Sequence, residues 1–425
     1  MTRLKTLLAA LAASAALTTG AYAQAATELR MQWYSDGNEG EVMQDLLTRF
    51  EAENPDIRVV LDNVAYDVIQ TTLPVQLEAG NGPDMARVTN LKAPAEHWLD
   101  LRPHLKDPGY WETNFADYLD WMRPEGSDAL PGVMTQVTVT GPFINKTLFD
   151  QAGVEVPVEG ATWDEWVEAA KQVAASQDVP IALGWDRSGH RLAGPAISMG
   201  AKYIGEDGMP AVIDEGFKEM ASRIAQWHEE GTMPKEVWGG VAGQTYAALN
   251  EEFANGNVVM YESGSWQIGQ FTKTIGDAFD WWAVPQPCGP AACTGLPGGA
   301  ALVAVKYTQH PEAVARVMEW FASEPVIKEF AERTLFIPGH KAVAEKGLDF
   351  QTDNADAKRA LDVFVAETAK FSPLAKRMPS YQWADAIYTT TITRIGQVVA
   401  GEITLDEAYA RIPDDLKQKI DEAGK

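Results

Sequence analysis

Cysteine is scarce in this chain, with only Cys288 and Cys293 among 425 residues. Two such ligands with no nearby histidine make a poor zinc set, so no structural metal is expected. Five positions apart, they suit a local disulfide in an oxidising compartment, pinning a short loop with little effect on stability. Histidine is also rare, at six residues, none at metal-ligand spacing. The H-E-x-x-H and G-x-S-x-G patterns are missing, which removes the commonest metal and serine hydrolase signatures. Positive charge is short: 35 Lys and Arg stand against 60 Asp and Glu, for a net charge of −25. A surface this acidic repels nucleic acid and anionic lipid. No low-complexity tract and no fixed-period repeat occurs. The apolar run from Leu7 to Leu17 is shorter than the roughly 20 residues a membrane span needs.

That run has a different reading. Arg3 and Lys5 precede it, and Ala21-Tyr22-Ala23 follows with the small-x-small pattern of a signal cleavage site. The reading is an export signal over residues 1–23, cut near Ala23, with no cysteine after it to carry a lipid. Its loss removes two cations and no acid, leaving a net charge of about −27. A periplasmic, monomeric protein is expected. The 402 residues that remain are too many for one ordinary core and suggest two domains.

Along the mature chain, strand-like and helix-like segments alternate. Leu29–Trp33, Ile57–Leu61, Met85–Val88, Val137–Ile144, Ile181–Trp185, Val258–Tyr261 and Ala300–Val305 read as strands. Val42, Leu46, Leu47 and Phe50 share one helical face. Thr162-Trp163-Asp164-Glu165 has the spacing of a capping box. Pro74 should kink or divide the helix beginning at Tyr66, and Pro285–Gly299 reads as a crossing between lobes. Helices dominate after Pro311. This alternation predicts an open α/β sheet, whose ligands bind beyond the carboxyl ends of the strands. Polar and aromatic clusters stand at four such ends: Trp33-Tyr34-Ser35-Asp36, Thr89-Asn90, Trp185-Asp186-Arg187 and Glu262-Ser263-Gly264-Ser265-Trp266. Rings that pack on C–H faces, beside acids and amides that bond hydroxyls, are what a sugar requires. The 14 tryptophans exceed what a core of this size needs.

Several segments, in order, resemble the solute-binding proteins of the maltose-binding type that serve ABC importers for sugars. They are Trp33 with its following loop, Phe50-Glu51-Ala52-Glu53-Asn54-Pro55-Asp56, and Ala79-Gly80-Asn81-Gly82-Pro83-Asp84. Phe143-Ile144-Asn145-Lys146, Phe253-Ala254-Asn255-Gly256-Asn257, Gly264-Ser265-Trp266, Ile337-Pro338 and the stretch around Trp383 complete the set. The resemblance implies a two-lobed periplasmic-binding-protein fold, each lobe an open sheet flanked by helices, with the ligand cleft between them. Residues 24–138 plus 297–340 would form one lobe and 139–296 plus 341–425 the other. The chain would cross near Val137–Gly141, Pro297–Gly298 and Pro338–Lys346.

By position, the resemblance also implies ligand contacts. Trp33, Trp266 and Trp383 would stack on the ligand. Tyr34, Asp36, Glu39, Asn90 and Asp186 would bond its hydroxyls, and Arg187, His190 and Arg377 would reach the cleft. Gly298 and Gly299 would let backbone approach the ligand. Thr138 stands where maltose binders place a glutamate, which argues against maltose itself. Each residue also has a plainer reading as packing or solvated surface. The implied function is capture of a mono- to trisaccharide by lobe closure and delivery to the permease subunits, with no cofactor. One alternative is an anionic sugar derivative, a sugar phosphate or a polyamine in the same role; another is a secreted polysaccharide-active enzyme.

Overall fold

The computed structural model describes residues 26–239 and 246–423, so the export segment read at 1–23 lies outside the described residues. Among the described residues there are ten strands: β1 (Thr27–Trp33), β2 (Ile57–Asn63), β3 (Met85–Val88), β4 (Gly132–Asn145), β5 (Ile181–Trp185), β6 (Tyr203–Ile204), β7 (Pro210–Ala211), β8 (Val258–Gly264), β9 (Trp281–Ala283) and β10 (Pro297–Ala304). Eight of them join in the order β2-β1-β3-β10-β4-β8-β5, with β9 added beside β4. The β1–β2, β1–β3 and β5–β8 pairs are parallel. Around them, β10 and β4 run antiparallel to their neighbours.

The fourteen residues of β4 are all buried, and they serve two groups of strands in succession. Gly132–Val139 pairs with β10, and Thr140–Ile144 then pairs with β8. Val137 also exchanges a bridge with Ile337, bringing a third segment to the same junction. One group of strands packs on its two faces, as the two-residue alternation of a strand demands. Met85 and Leu302 enter a core with Trp33, Phe50, Phe321 and Phe330, while Ala86, Ala301 and Val303 enter one with Ile69, Leu73 and Trp98. The other group is buried in a separate core containing Phe143, Trp163, Trp185, Trp238, Trp281 and Phe364.

Local signals explain the helices. Val42, Leu46, Leu47 and Phe50 are buried along helix Glu39–Glu53. Thr162 and Glu165 bond each other's backbone N–H and open helix Trp163–Gln177. Two expectations change. Pro74 faces outward within an unbroken helix, Tyr66–Glu78, whose buried residues are Ile69, Leu73 and Leu77. Residues 285–296 do not cross between strand groups. Cys288 bridges to Thr162, Leu296 N–H donates to the Thr140 hydroxyl, and the change of group comes in β10. Cys288 and Cys293 form a disulfide in this segment.

Candidate functional site

A cavity of about 260 Å³ lies between the two strand groups at the β4–β10 junction. On one side it is lined by Tyr34, Asp36, Tyr66, Asn90 and Trp121; on the other by His190, Arg191, Tyr246, Trp266 and Tyr388. Thr138, Gly298 and Gly299 form its floor. The walls touch: the Tyr66 and Tyr246 rings meet edge to face with centroids 5.5 Å apart.

The first wall is organised by Arg87, a fully buried side chain on β3. Its Nη1 donates to the Tyr34 carbonyl at 2.7 Å and to Glu39 Oε1 at 3.1 Å, and its Nη2 donates to Gln136 Oε1 at 2.8 Å. The guanidinium also lies 4.1 Å from the Tyr34 ring centroid. Glu39, at the start of its helix, accepts from the N–H groups of Asp36 and Gly37, which folds the loop after β1 around a buried carboxylate. Asp36 is thereby presented to the cavity, 3.5 Å from Arg87 and a quarter exposed. Burial raises its pKa to about 7; Arg87 opposes the rise and Glu39 adds to it.

The second wall begins with Asp186, at the end of β5 and fully buried. It accepts from the Tyr261 hydroxyl, from Ser263 Oγ at 2.8 Å and from Leu249 N–H at 3.3 Å. Arg191 Nε lies 3.0 Å from its Oδ2. The Arg191 guanidinium sits 4.2 Å from the Trp266 ring centroid and 5.1 Å from that of Tyr246. His190 rests its Nε2 on the Pro297 carbonyl at 3.2 Å, and burial depresses its pKa to about 3, so it is neutral and donates there. Behind this wall is Glu262, whose Oε2 has no partner among the described residues and whose pKa burial raises to about 8.

Of the residues singled out in the sequence, the cavity gathers Tyr34, Asp36, Asn90, Trp266, Gly298 and Gly299. It also gathers Thr89, Thr138 and His190, but not Trp33, Glu39, Asp186, Arg187, Trp383 or Arg377. Trp33 is wholly buried against Phe330, so its ring is core. Glu39 and Asp186 are also wholly buried, and each holds an arginine and the local backbone in place of meeting solvent. Arg187 is nearly fully buried and packs beside Gly396. Trp383 packs against the second core, while Ala384, Asp385 and Tyr388 after it reach the cavity. Arg377 lines a neighbouring polar hollow with Lys92, Arg123 and Tyr381. The tryptophan surplus has a structural explanation. Trp163 and Trp185 stack at 5.1 Å inside the second core, next to Trp227 and Trp238, and only Trp121 and Trp266 line the cavity.

Sequence reasoning missed Arg87, Tyr66, Trp121, Arg191, Tyr246 and Tyr388. One signal was available for Arg191: it stands one position beyond His190, on the helix Gly189–Ser198 that follows a strand end already marked as a binding loop.

The geometry suits recognition of an uncharged, hydroxyl-rich molecule. Hydroxyl groups line both walls, with amides on the first, and the lysine and arginine of the lining, Lys92 and Arg191, each have a carboxylate within 4 Å, as does Arg87 behind the first wall. Arg87 has Glu39 and Asp36, Arg191 has Asp186, and Lys92 has Glu125 at 3.6 Å. Among the described residues no group of three or more metal-ligating side chains occurs, and no helix is long and apolar enough to cross a membrane.

Comparison with known proteins agrees with this architecture. A binding protein of Brucella abortus is 24% identical over 357 residues, covering 79% of this chain and 80% of the relative. The multiple sugar-binding protein of Streptococcus mutans is 25% identical over 243 residues, 53% of this chain and 54% of the relative. An ABC substrate-binding protein from Listeria monocytogenes, solved in complex with cycloalternan, superposes with a TM-score of 0.78 at 18% identity, over 93% of this chain and 99% of the other. The family model for bacterial extracellular solute-binding proteins matches residues 34–328, more than half of the sequence, and the chain therefore belongs to that family.

Proposed function

We propose that this protein captures a neutral carbohydrate of one to three units between its two lobes and hands it to the permease of an ABC importer. We read the lobes as residues 24–138 plus 297–340 and 139–296 plus 341–425, joined where β4 and β10 change partners; Val343 and Leu348 pack with the first lobe's core, which puts the last crossing beyond them. The observation that carries the reading is the cavity itself: hydroxyl, amide and acid groups from its two walls face one space whose described lysine and arginine, Lys92 and Arg191, are each paired with a carboxylate. A phosphate or carboxylate ligand would need an uncompensated arginine or lysine in the lining. The names of the Streptococcus relative and of the Listeria complex point to the same ligand class. At about 260 Å³ the cavity falls just below the roughly 300–1,000 Å³ of drug-sized clefts, which favours few sugar rings over many.

Closure follows from the fold. Ligand contacts made by both walls exist together only when the walls meet, so ligand shifts the population towards the closed form. Export to the periplasm, with cleavage near Ala23, and a monomeric state complete the proposal. A thermal-shift screen against neutral mono- to trisaccharides tests it. A ligand at 100 times its Kd stabilises the folded state by about 2.7 kcal/mol, and the binding should be nearly insensitive to salt. A screen in which no carbohydrate raises the melting temperature, or in which only charged compounds do, refutes the reading.

A further inference from the structure

The Gly264-Ser265-Trp266 segment suggests a platform on which a sugar ring lies flat, but in the structure the Trp266 indole is largely covered and an arginine lies over its ring. The benzo end of the ring packs on Gly264, so close that a Cβ there would stand 2.1 Å from Cζ3. One face is covered by the Arg191 guanidinium, 4.2 Å from the ring centroid. Trp266 is only 8% exposed.

The cover is itself built. Asp186, with no exposure, forms an ion pair with Arg191, its Oδ2 3.0 Å from Nε, and is itself held by Tyr261, Ser263 and the Leu249 N–H. Tyr246 closes the side of the guanidinium, 5.1 Å from its ring centroid. Nε is buried beside Asp186 without a hydrogen bond, and neither Nη1 nor Nη2 donates one to a described residue, so charge attraction sets the guanidinium's place and its Nη edge remains unused. Both Arg191 and Trp266 line the cavity. A flat guanidinium that is fixed from behind and open at its far edge is a pre-organised fork for two adjacent oxygens. Its charge is compensated by Asp186, so the fork suits vicinal hydroxyls over an anion.

We propose that Arg191 is the specificity-determining contact of the second wall, donating from Nη1 and Nη2 to neighbouring hydroxyls of the carbohydrate. Trp266 and Asp186 are positioning residues that hold its plane and direction. This rests on the carbohydrate reading above and deepens it. A stacking role for Trp266 makes the opposite prediction for one substitution: removing Arg191 would uncover the indole and leave affinity unchanged or improve it.

The test is calorimetric titration of the full chain with the neutral mono- to trisaccharide that raises its melting temperature most. Arg191→Ala should weaken binding about 10- to 100-fold, the scale of hydrogen bonds from a charged donor. Arg191→Lys keeps a cation to pair with Asp186 and so protects folding, yet should lose nearly as much because the planar fork is gone. Trp266→Ala should weaken binding in the native background and have no further effect on Arg191→Ala, while Trp266→Phe should restore most of the affinity by keeping a ring under the guanidinium. If Arg191→Ala or Arg191→Lys, folded by circular dichroism, binds as well as the native protein or better, the assignment is overturned and the carbohydrate reading stands. If no carbohydrate binds the native chain, the carbohydrate reading falls and takes the assignment with it.

Discussion

The wall behind the cavity contains an acid whose burial can be read out directly. Glu262 has no solvent exposure, receives one hydrogen bond from Gln286 Nε2 at 3.3 Å, and leaves Oε2 without a partner among the described residues. Burial lifts its pKa from 4.5 to about 8; Gln286 opposes the shift and Asp186 adds to it. The folded state therefore holds this proton more tightly than the unfolded chain does. Stability from this group is greatest below pH 4.5 and is lost as pH rises towards 8. Glu262→Gln replaces the protonated acid with a neutral group of the same shape. At pH 7 the difference spans 2.5 pH units, or about 3 kcal/mol at roughly 1.4 kcal/mol per unit. For a chain this long, that is a rise of a few degrees in melting temperature. Scanning calorimetry of native and Glu262→Gln protein at pH 4.5, 7 and 8.5 should show curves that coincide at the lowest pH and separate as pH rises. A variant that is destabilised equally at all three values would mean that Glu262 is ionised and bonded in the fold, and the reasoning would fail.

Other outcomes follow from the cavity floor and the first wall. Gly298→Val should weaken carbohydrate binding about tenfold with little loss of stability, because the new Cβ lies 3.0 Å from His190 Nε2 and Thr138 Oγ1, both ends of side chains. Gly299→Ala differs, since its Cβ would stand 2.3 Å from the Gln136 carbonyl; calorimetry should show a loss of about 1–3 kcal/mol. Asp36, with its pKa raised to about 7, should make affinity rise with a midpoint near that pH, because the ionised carboxylate accepts from ligand hydroxyls. Asp36→Asn should flatten that profile; a flat profile in the native protein would remove Asp36 from the contact set.

Much of the architecture was legible in the sequence, because it rests on local periodicity. Met85–Val88 and Ile181–Trp185 were read with the bounds they have. The capping box at Thr162 needed only residue types and a spacing. The outline of the site was legible too, since the rule that ligands bind beyond strand ends points to the loops containing Asp36, Asn90 and Trp266. What failed was the depth of each side chain. Trp33 and Asp186 stand at strand ends as expected, but each turns inward, one to fill a core and the other to hold an arginine. Residue type does not distinguish a carboxylate that meets a ligand from one that aims the residue that does. Arg87 illustrates the same gap: within a four-residue strand it reads as an interruption of an apolar run, and its partners Tyr34, Glu39 and Gln136 come from three separate segments. Long-range pairing of that kind leaves no periodic trace.

The central claim is that a hydroxyl-bearing ligand is enclosed by both halves of the molecule at the β4–β10 junction. A crystal structure of the protein grown with the carbohydrate that stabilises it most is the direct measurement. Density is expected in the cavity between Tyr34, Asp36 and Asn90 on one side and Arg191 and Tyr388 on the other. Density at any other place, or a ligand held by one half with the halves apart, would contradict it.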